Sequence, residues 1–234
     1  MKPLRLRAVF FDVGGTLIHP WPSVGEIYAR VAARHGIHRQ PDELERRFHD
    51  SWRALKRAKL TVSRKTWWRQ LVFRTLGEDN EGCFEELFEF FAHAEAWRIY
   101  PDVMETLREI RASGLHVGVI SNWDERLRPL LGELGVAVLL DSITISYEVG
   151  AEKPRPEIFR AALETAGVSV IEAIHIGDSA DEDLRGAEAA GMKAVVLDRA
   201  GVANDKRISN LGRIKPLFGT ITPPRSAEKH CVQS

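Results

Sequence analysis

Three short apolar runs, each stopping at a polar cluster, constrain this chain more than any other feature. Ala8-Val9-Phe10-Phe11 stops at Asp12, and Leu115-His116-Val117-Gly118-Val119-Ile120 stops at Ser121-Asn122. Ala173-Ile174-His175-Ile176 stops at Gly177-Asp178. Such runs read as buried strands. Ser142-Ile143-Thr144-Ile145 and Ala194-Val195-Val196-Leu197 add two more. Helical periods lie between them: Val103, Leu107 and Ile110 up to Gly114; Leu127, Leu130, Leu131 and Leu134 up to Gly135; a helix opened by Pro156; and Asp181 to Ala190, stopped by Gly191. Repeated β–α units predict an α/β fold with a doubly wound, Rossmann-like parallel sheet and helices on both faces.

Between the first strand and this alternating part the period is helical. Ser23-Val24-Gly25-Glu26 has capping-box spacing, followed on one face by Ile27, Tyr28, Val31 and Ala32. Leu44, Phe48, Trp52 and Leu55 form a second stripe. Trp67, Trp68, Leu71 and Val72 form a third, ending near Gly77, and Phe84, Leu87, Phe88 and Phe91 form a fourth. Residues 19–99 thus read as an inserted α-helical unit without strand signal, residues 1–18 and 100–218 as the α/β core, and 219–234 as a loose C-terminal tail.

Charge is uneven inside the insertion. Ten Lys/Arg and one acid, Asp50, lie between Arg46 and Arg74, whereas Glu78 to Glu95 carries only acids. Oppositely charged solvated faces lying side by side are the plain reading; cations turned toward a site for an anionic substrate are the sharper one. Over the whole chain 33 basic and 33 acidic residues cancel, which argues against nucleic acid as a partner. No apolar stretch approaches the ~20 residues of a membrane span, and the start has no signal-peptide pattern. Cys83 and Cys231 form neither a disulfide framework nor a zinc motif, so a reducing, cytoplasmic setting is expected.

In a doubly wound sheet, ligands bind at the carboxyl ends of the strands. Asp12, Ser121-Asn122 and Asp178 are therefore expected to converge. Asp12 and Asp178 with a backbone carbonyl suit Mg²⁺, which prefers hard oxygen ligands. Lys153, in a loop after a strand, can reach in to a phosphate or to the attacking carboxylate, and Asp183 can orient Lys153 or a metal-bound water. Taken singly, Asp12 is also an ordinary turn acid, Ser121-Asn122 an N-cap, and Asp178 and Asp183 acids near a helix start. His175 reads as packing rather than ligand, and Trp52, Trp67, Trp68 and Trp97 as core of the insertion. Trp21 and Trp123 follow motif loops, at a possible substrate entrance.

Asp12-Val13-Gly14-Gly15-Thr16-Leu17, Ile120-Ser121-Asn122, Lys153-Pro154, and Gly177-Asp178-Ser179 with Asp183 resemble, in order, the four motifs of the haloacid dehalogenase (HAD) superfamily. The insertion after the first motif resembles the C1 cap, and Tyr147 to Pro154 resembles the haloacid dehalogenase-like hydrolase domain-containing proteins. The resemblance implies that Asp12 is a nucleophile forming an aspartyl-phosphate, with Lys153 and Ser121 as further catalytic residues. It implies Mg²⁺ held by Asp12, the Gly14 carbonyl and Asp178, with Asp183 in support. It also implies a small phosphorylated substrate bound by Thr16, Ser121, Asn122, Lys153 and nearby backbone N–H groups.

Gly14 departs from the pattern. Phosphatases of this superfamily have a second Asp there, the general acid/base for the leaving alcohol. A glycine carbonyl can still face a metal, but glycine has no proton to give, and losing a positioned acid/base removes about 10²–10⁴ in rate. Three readings follow in order: a phosphatase that is slow, acts on good leaving groups or takes its acid from the cap or the substrate; phosphonatase-type C–P hydrolysis, which needs a cap lysine such as Lys56, Lys59 or Lys65; and a Mg²⁺/phosphate-binding protein without turnover. A dehalogenase ranks lower, because Asp178 retains the metal-type acid.

Overall fold

The computed structural model describes residues 6–58, 62–201, 204 and 206–214. In chain order its elements are β1 (Ala8–Phe11), β2 (Ile18–Pro20), α1 (Val24–Arg34), α2 (Pro41–Ala58), α3 (Arg64–Leu76), α4 (Glu81–Phe90) and β3 (Trp97–Ile99). There follow α5 (Val103–Ala112), β4 (His116–Ser121), α6 (Leu127–Glu133), β5 (Ser142–Ile145), α7 (Ser146–Val149) and α8 (Pro156–Ala166). After these come β6 (Ala173–Gly177), α9 (Gly186–Ala189), β7 (Lys193–Leu197) and β8 (Arg207–Ile208).

Six strands form one parallel sheet in the order β5-β4-β1-β6-β7-β8. This is the doubly wound α/β core expected from the apolar runs. All of β1 is buried, and its side chains alternate between two apolar layers. Val9 and Phe11 join one layer, with Val117, Val119 and Ile176. Ala8 and Phe10 join the other, with Ile158, Phe159 and Ala187. Phe11 aligns with Val119 on one side and Ile176 on the other, so residues just beyond these strands share one edge of the sheet. The order also reverses beside β1, where such sheets leave a crevice for ligands.

The inserted unit forms four helices, and local chemistry starts and stops them. The Ser23 hydroxyl accepts the Glu26 amide (3.1 Å) at the start of α1, and Ser63 accepts Thr66 in the same way at α3. Gly77 ends α3 at φ +83°, a left-handed conformation that suits glycine. Trp52, Trp67 and Trp68 pack together with Leu55 and Leu71, the Trp52 and Trp67 rings 4.9 Å apart and edge-on. The oppositely charged faces meet as Lys65–Glu85 and Arg69–Glu81 pairs between α3 and α4.

Three features differ from the sequence expectation. The insertion is bounded by strands: β2 and β3 pair antiparallel, Ile18 opposite Ile99, and carry the chain out of the core and back. Three-residue strands are too short to show a period, and tertiary pairing decides them. Asp181 to Ala190 is not one regular helix. A π-helical segment, Ala180–Arg185, precedes α9, because the Leu184 amide reaches back five residues to the Ser179 carbonyl (3.2 Å). β8 adds a further strand at the sheet edge. The expected tail and Cys231 lie outside the described residues, while Cys83 is buried in α4. No described helix is long and apolar enough to cross a membrane.

A side chain on Gly118 would meet Ser142 Oγ at 2.6 Å and the Phe10 ring at 2.7 Å, across a fully packed strand. Gly118→Ala is expected to destabilise the fold by about 1–3 kcal/mol through overpacking, measured by urea unfolding.

Candidate active site

The strand ends converge as the fold requires. The Asp12 amide extends the ladder past β1 by donating to the Ile176 carbonyl (2.8 Å). The chain then turns sharply: the amides of Leu17 and Ile18 both reach the Val13 carbonyl, and Gly15 adopts φ +79°. A Cβ at Gly15 would also lie 2.5 Å from Asp178 Oδ2. Glycine there satisfies both the backbone and the approach of the second acid.

Asp12 is buried, and two side-chain donors converge on its Oδ1: Lys153 Nζ at 2.6 Å and Ser121 Oγ at 3.1 Å. Neither engages Oδ2. Lys153 Nζ also donates to Asp183 Oδ1 at 2.6 Å, so one ammonium bridges two carboxylates. Asp183 is further held by His175 Nε2 on Oδ1 (2.8 Å) and the Ser179 amide on Oδ2 (3.0 Å). The widened π-helical turn carries Asp183, and Gly177 has no side chain to obstruct it: a Cβ there would overlap the Asp183 carboxylate.

Burial alone would lower the Lys153 ammonium, but the charges of Asp12 and Asp183 hold it above its ordinary range. Burial would likewise raise Asp183, yet Lys153 and His175 hold it well below the usual carboxylate range. Asp12 is pushed up by burial, with Asp183 adding to the shift and Lys153 opposing it. Asp178 reaches solvent on one side, but its surroundings and the charge of Asp12 push it up to about 7. Three carboxylates, Asp12, Asp178 and Asp183, thus face the one ammonium of Lys153, a surplus of acids over cations that adds to the rise of Asp12 and Asp178.

That surplus is what a hard divalent cation would fit. Oxygens of Asp12, Asp178 and Asp183 all lie within 4.8 Å of one another. Both Asp183 oxygens already have donors, which leaves Asp12 and Asp178 as the side chains able to hold an ion.

The other expected residues take different positions. The Asn122 amide group braces the Lys153 loop, accepting from Lys153 N (2.7 Å) and donating to Lys153 O (2.9 Å). It is not an N-cap, since α6 starts at Leu127. Thr16 is not brought to the open face: its side chain is fully buried with an unpartnered hydroxyl, and its carbonyl accepts from Arg199 (2.7 Å). The Gly14 backbone has no positive φ, but a Cβ there would lie 3.2 Å from Trp123 Cζ3. The indole thus occupies the space that a side chain at position 14 would enter. Trp21 lies exposed.

The profile of the haloacid dehalogenase-like hydrolases matches residues 6–191 of this chain. The chain belongs to the haloacid dehalogenase-like hydrolases. Human haloacid dehalogenase-like hydrolase domain-containing protein 3 is 32% identical over 207 residues, covering 83% of this chain and 82% of that protein. A glyceraldehyde 3-phosphate phosphatase of Methanopyrus kandleri is 31% identical over 204 residues, covering 83% and 84%. Among solved structures, a HAD phosphatase of Thermococcus onnurineus superposes with a TM-score of 0.67 at 27% identity, over 92% of this chain and 98% of that one. A 2-haloacid dehalogenase of Pseudomonas syringae does so with 0.62 at 27%, over 91% and 97%. This HAD-like fold therefore carries more than one chemistry, and the side chains must decide between them.

Several residues of this HAD-like site carry no motif signal. Glu182 Oε1 accepts from Lys56 of the cap (2.6 Å) and its Oε2 from Asn122 (3.1 Å). Arg64 of the cap pairs with Glu152, next to Lys153. Two of the ten clustered cations thus cross to the core loops. Arg199 ties the first motif turn to Asp102 (3.1 Å) and stacks on Tyr100. Its position just past β7, at the same sheet edge, was the available clue.

Removing the bridging ammonium leaves two buried carboxylates facing each other. Lys153→Met is expected to lower stability by about 3–5 kcal/mol, read from urea unfolding in metal-free buffer.

Proposed function

We propose that this HAD-like hydrolase is a Mg²⁺-dependent phosphate-monoester hydrolase that works through an aspartyl-phosphate on Asp12. The observation that carries this reading is the Asp12 carboxylate, held by Lys153 and Ser121 through one oxygen and flanked by Asp178. Oδ2 is then the attacking atom. Lys153 and Ser121 orient the carboxylate and supply positive charge and a hydrogen bond near the transferring phosphoryl oxygens. Mg²⁺ held by Asp12 and Asp178, with the Gly14 carbonyl as a third ligand, would screen charge between carboxylate and phosphate. The phosphatase named among its relatives supports the same bond cleavage.

Dehalogenation is disfavoured by Asp178, whose charge beside Asp12 would hinder an anionic substrate unless a cation were present. Phosphonatase chemistry is disfavoured by the described cap lysines. Lys65 pairs with Glu85 and Lys56 with Glu182, so each described amine is engaged by a carboxylate, whereas a Schiff base needs a free amine. Lys59 lies outside the described residues. Binding without turnover is the second reading, favoured by Gly14 with Trp123 in the place of a proton donor.

Position 14 also offers no base for the water that must cleave the aspartyl-phosphate. For an ester with a good leaving group, formation is then faster than breakdown. Rapid mixing with 4-nitrophenyl phosphate and Mg²⁺ should release about one nitrophenol per enzyme in a burst, followed by a slow steady phase. Asp12→Asn and chelation of the metal should each abolish the burst. Equal rates for wild type and Asp12→Asn would overturn the proposal, and binding of phosphate analogues with no release at all would favour the second reading.

A further inference from the structure

A cavity among the described residues plays no part in the site described above. It has a volume of about 60 Å³ and lies between the cap and the core. All four cap helices contribute to it, through residues such as Tyr28, Phe48, Trp68 and Phe88; Trp123 and Arg126 line it from the core. The lining is mostly aromatic, and Arg126 is its one charged residue. That charge is already engaged: Arg126 donates to both oxygens of Asp124 (2.8 and 2.7 Å) and stacks on Phe88 at 3.5 Å. The cavity has no spare cation for a second anionic group.

Trp123 stands between this cavity and position 14. Its ring lines the cavity, lies 5.2 Å from Trp97, and approaches the Cβ position of Gly14 to 3.2 Å. Its backbone is fixed, since its carbonyl accepts from Ser146 Oγ (3.1 Å) and the Tyr147 amide (3.3 Å).

We propose that this cavity is the leaving-group subsite and takes the ring of a phosphate monoester of a phenol. The proposal rests on the reading of Asp12 as nucleophile. Two independent observations meet in it. The space is apolar and walled by rings, so it rewards an uncharged aromatic group, and water held there would lack hydrogen-bond partners. No proton donor stands at position 14, which favours a leaving oxygen able to depart as an anion. A phenol has a pKa of about 10, as in tyrosine, whereas an alkoxide resembles hydroxide, whose parent water is near 15.7. As Asp12 Oδ2 bonds to phosphorus, the bond from phosphorus to the phenolic oxygen breaks. Its electron pair leaves with phenoxide, which takes a proton from solvent. Water then attacks phosphorus, the pair of the Asp12–phosphorus bond returns to the carboxylate, and inorganic phosphate leaves.

Calorimetry in Mg²⁺ with benzylphosphonate and ethylphosphonate tests this, because the methylene replaces the ester oxygen and neither probe offers a P–O ester bond to cleave. Benzylphosphonate should bind about tenfold tighter or more. Val72→Phe and Val24→Phe, each filling the cavity from a different helix, should bring the ratio toward one. Inorganic phosphate serves as a third probe of each variant's anion site. Equal affinities in the wild type overturn the proposal, whether or not either variant folds. A preference that both filling variants leave intact overturns it too, since the ring then sits elsewhere. A preference lost on filling, in a protein that turns over no ester, supports the subsite while refuting the catalytic reading. Turnover without a preference refutes the subsite alone.

Discussion

One ammonium between two carboxylates organises this molecule. Lys153 Nζ lies 2.6 Å from Asp12 and 2.6 Å from Asp183, all three buried. A cation there without both acids, or either acid without the cation, would be an uncompensated buried charge. Much of the local architecture serves this contact. Asn122 grips the Lys153 backbone from both sides, the π-helical turn delivers Asp183, and Gly177 leaves room for its carboxylate. His175, a core residue of β6, secures the same acid from below while packing on Phe159.

The arrangement divides the labour within the site. Lys153 holds Asp183 low, whereas Asp12 and Asp178 are raised, so the two acids on the open side are the ones short of a cation. Positive charge is therefore invited where a phosphate dianion would need it. Electrostatics for binding and orientation survive intact, whereas proton transfer has no counterpart, because Trp123 and not a carboxyl group stands beside Gly14. These are separable physical functions, and on the proposed reading position 14 contributes to the first and supplies no side chain for the second.

What could be read in the chain beforehand follows from range. The strands of the core were legible because β1, β4 and β6 are continuous apolar runs, a signal carried by adjacent residues. Asp12, Ser121 and Asp178 were legible as candidates because a parallel sheet brings strand ends to one edge, and Lys153 and Asp183 as a loop cation and a helix-start acid able to reach them. The pairing of β2 with β3 was not, since three-residue strands exist only through each other. Nor were the Lys56–Glu182 and Arg64–Glu152 pairs, which span 126 and 88 positions and resemble any other charge in a basic helix or acidic loop. Thr16 shows the limit of reading a role from a motif. A hydroxyl in the right place along the chain lies fully buried, and its carbonyl makes the contact, with Arg199.

The antiparallel ladder of β2 and β3 has a consequence for how such a protein can change. Ile18 and Ile99 stand opposite each other, so the chain departs from and returns to the core at two points one strand spacing apart, about 4.8 Å. The insertion thus joins the core covalently at one place, while Lys56, Arg64 and Trp97 touch the core at others. Its helices can be lengthened, exchanged or reshaped by recombination, and the sheet beneath need not re-register a single strand. A change in the insertion need not touch the cluster of Lys153, Asp12 and Asp183, which is built from core residues alone.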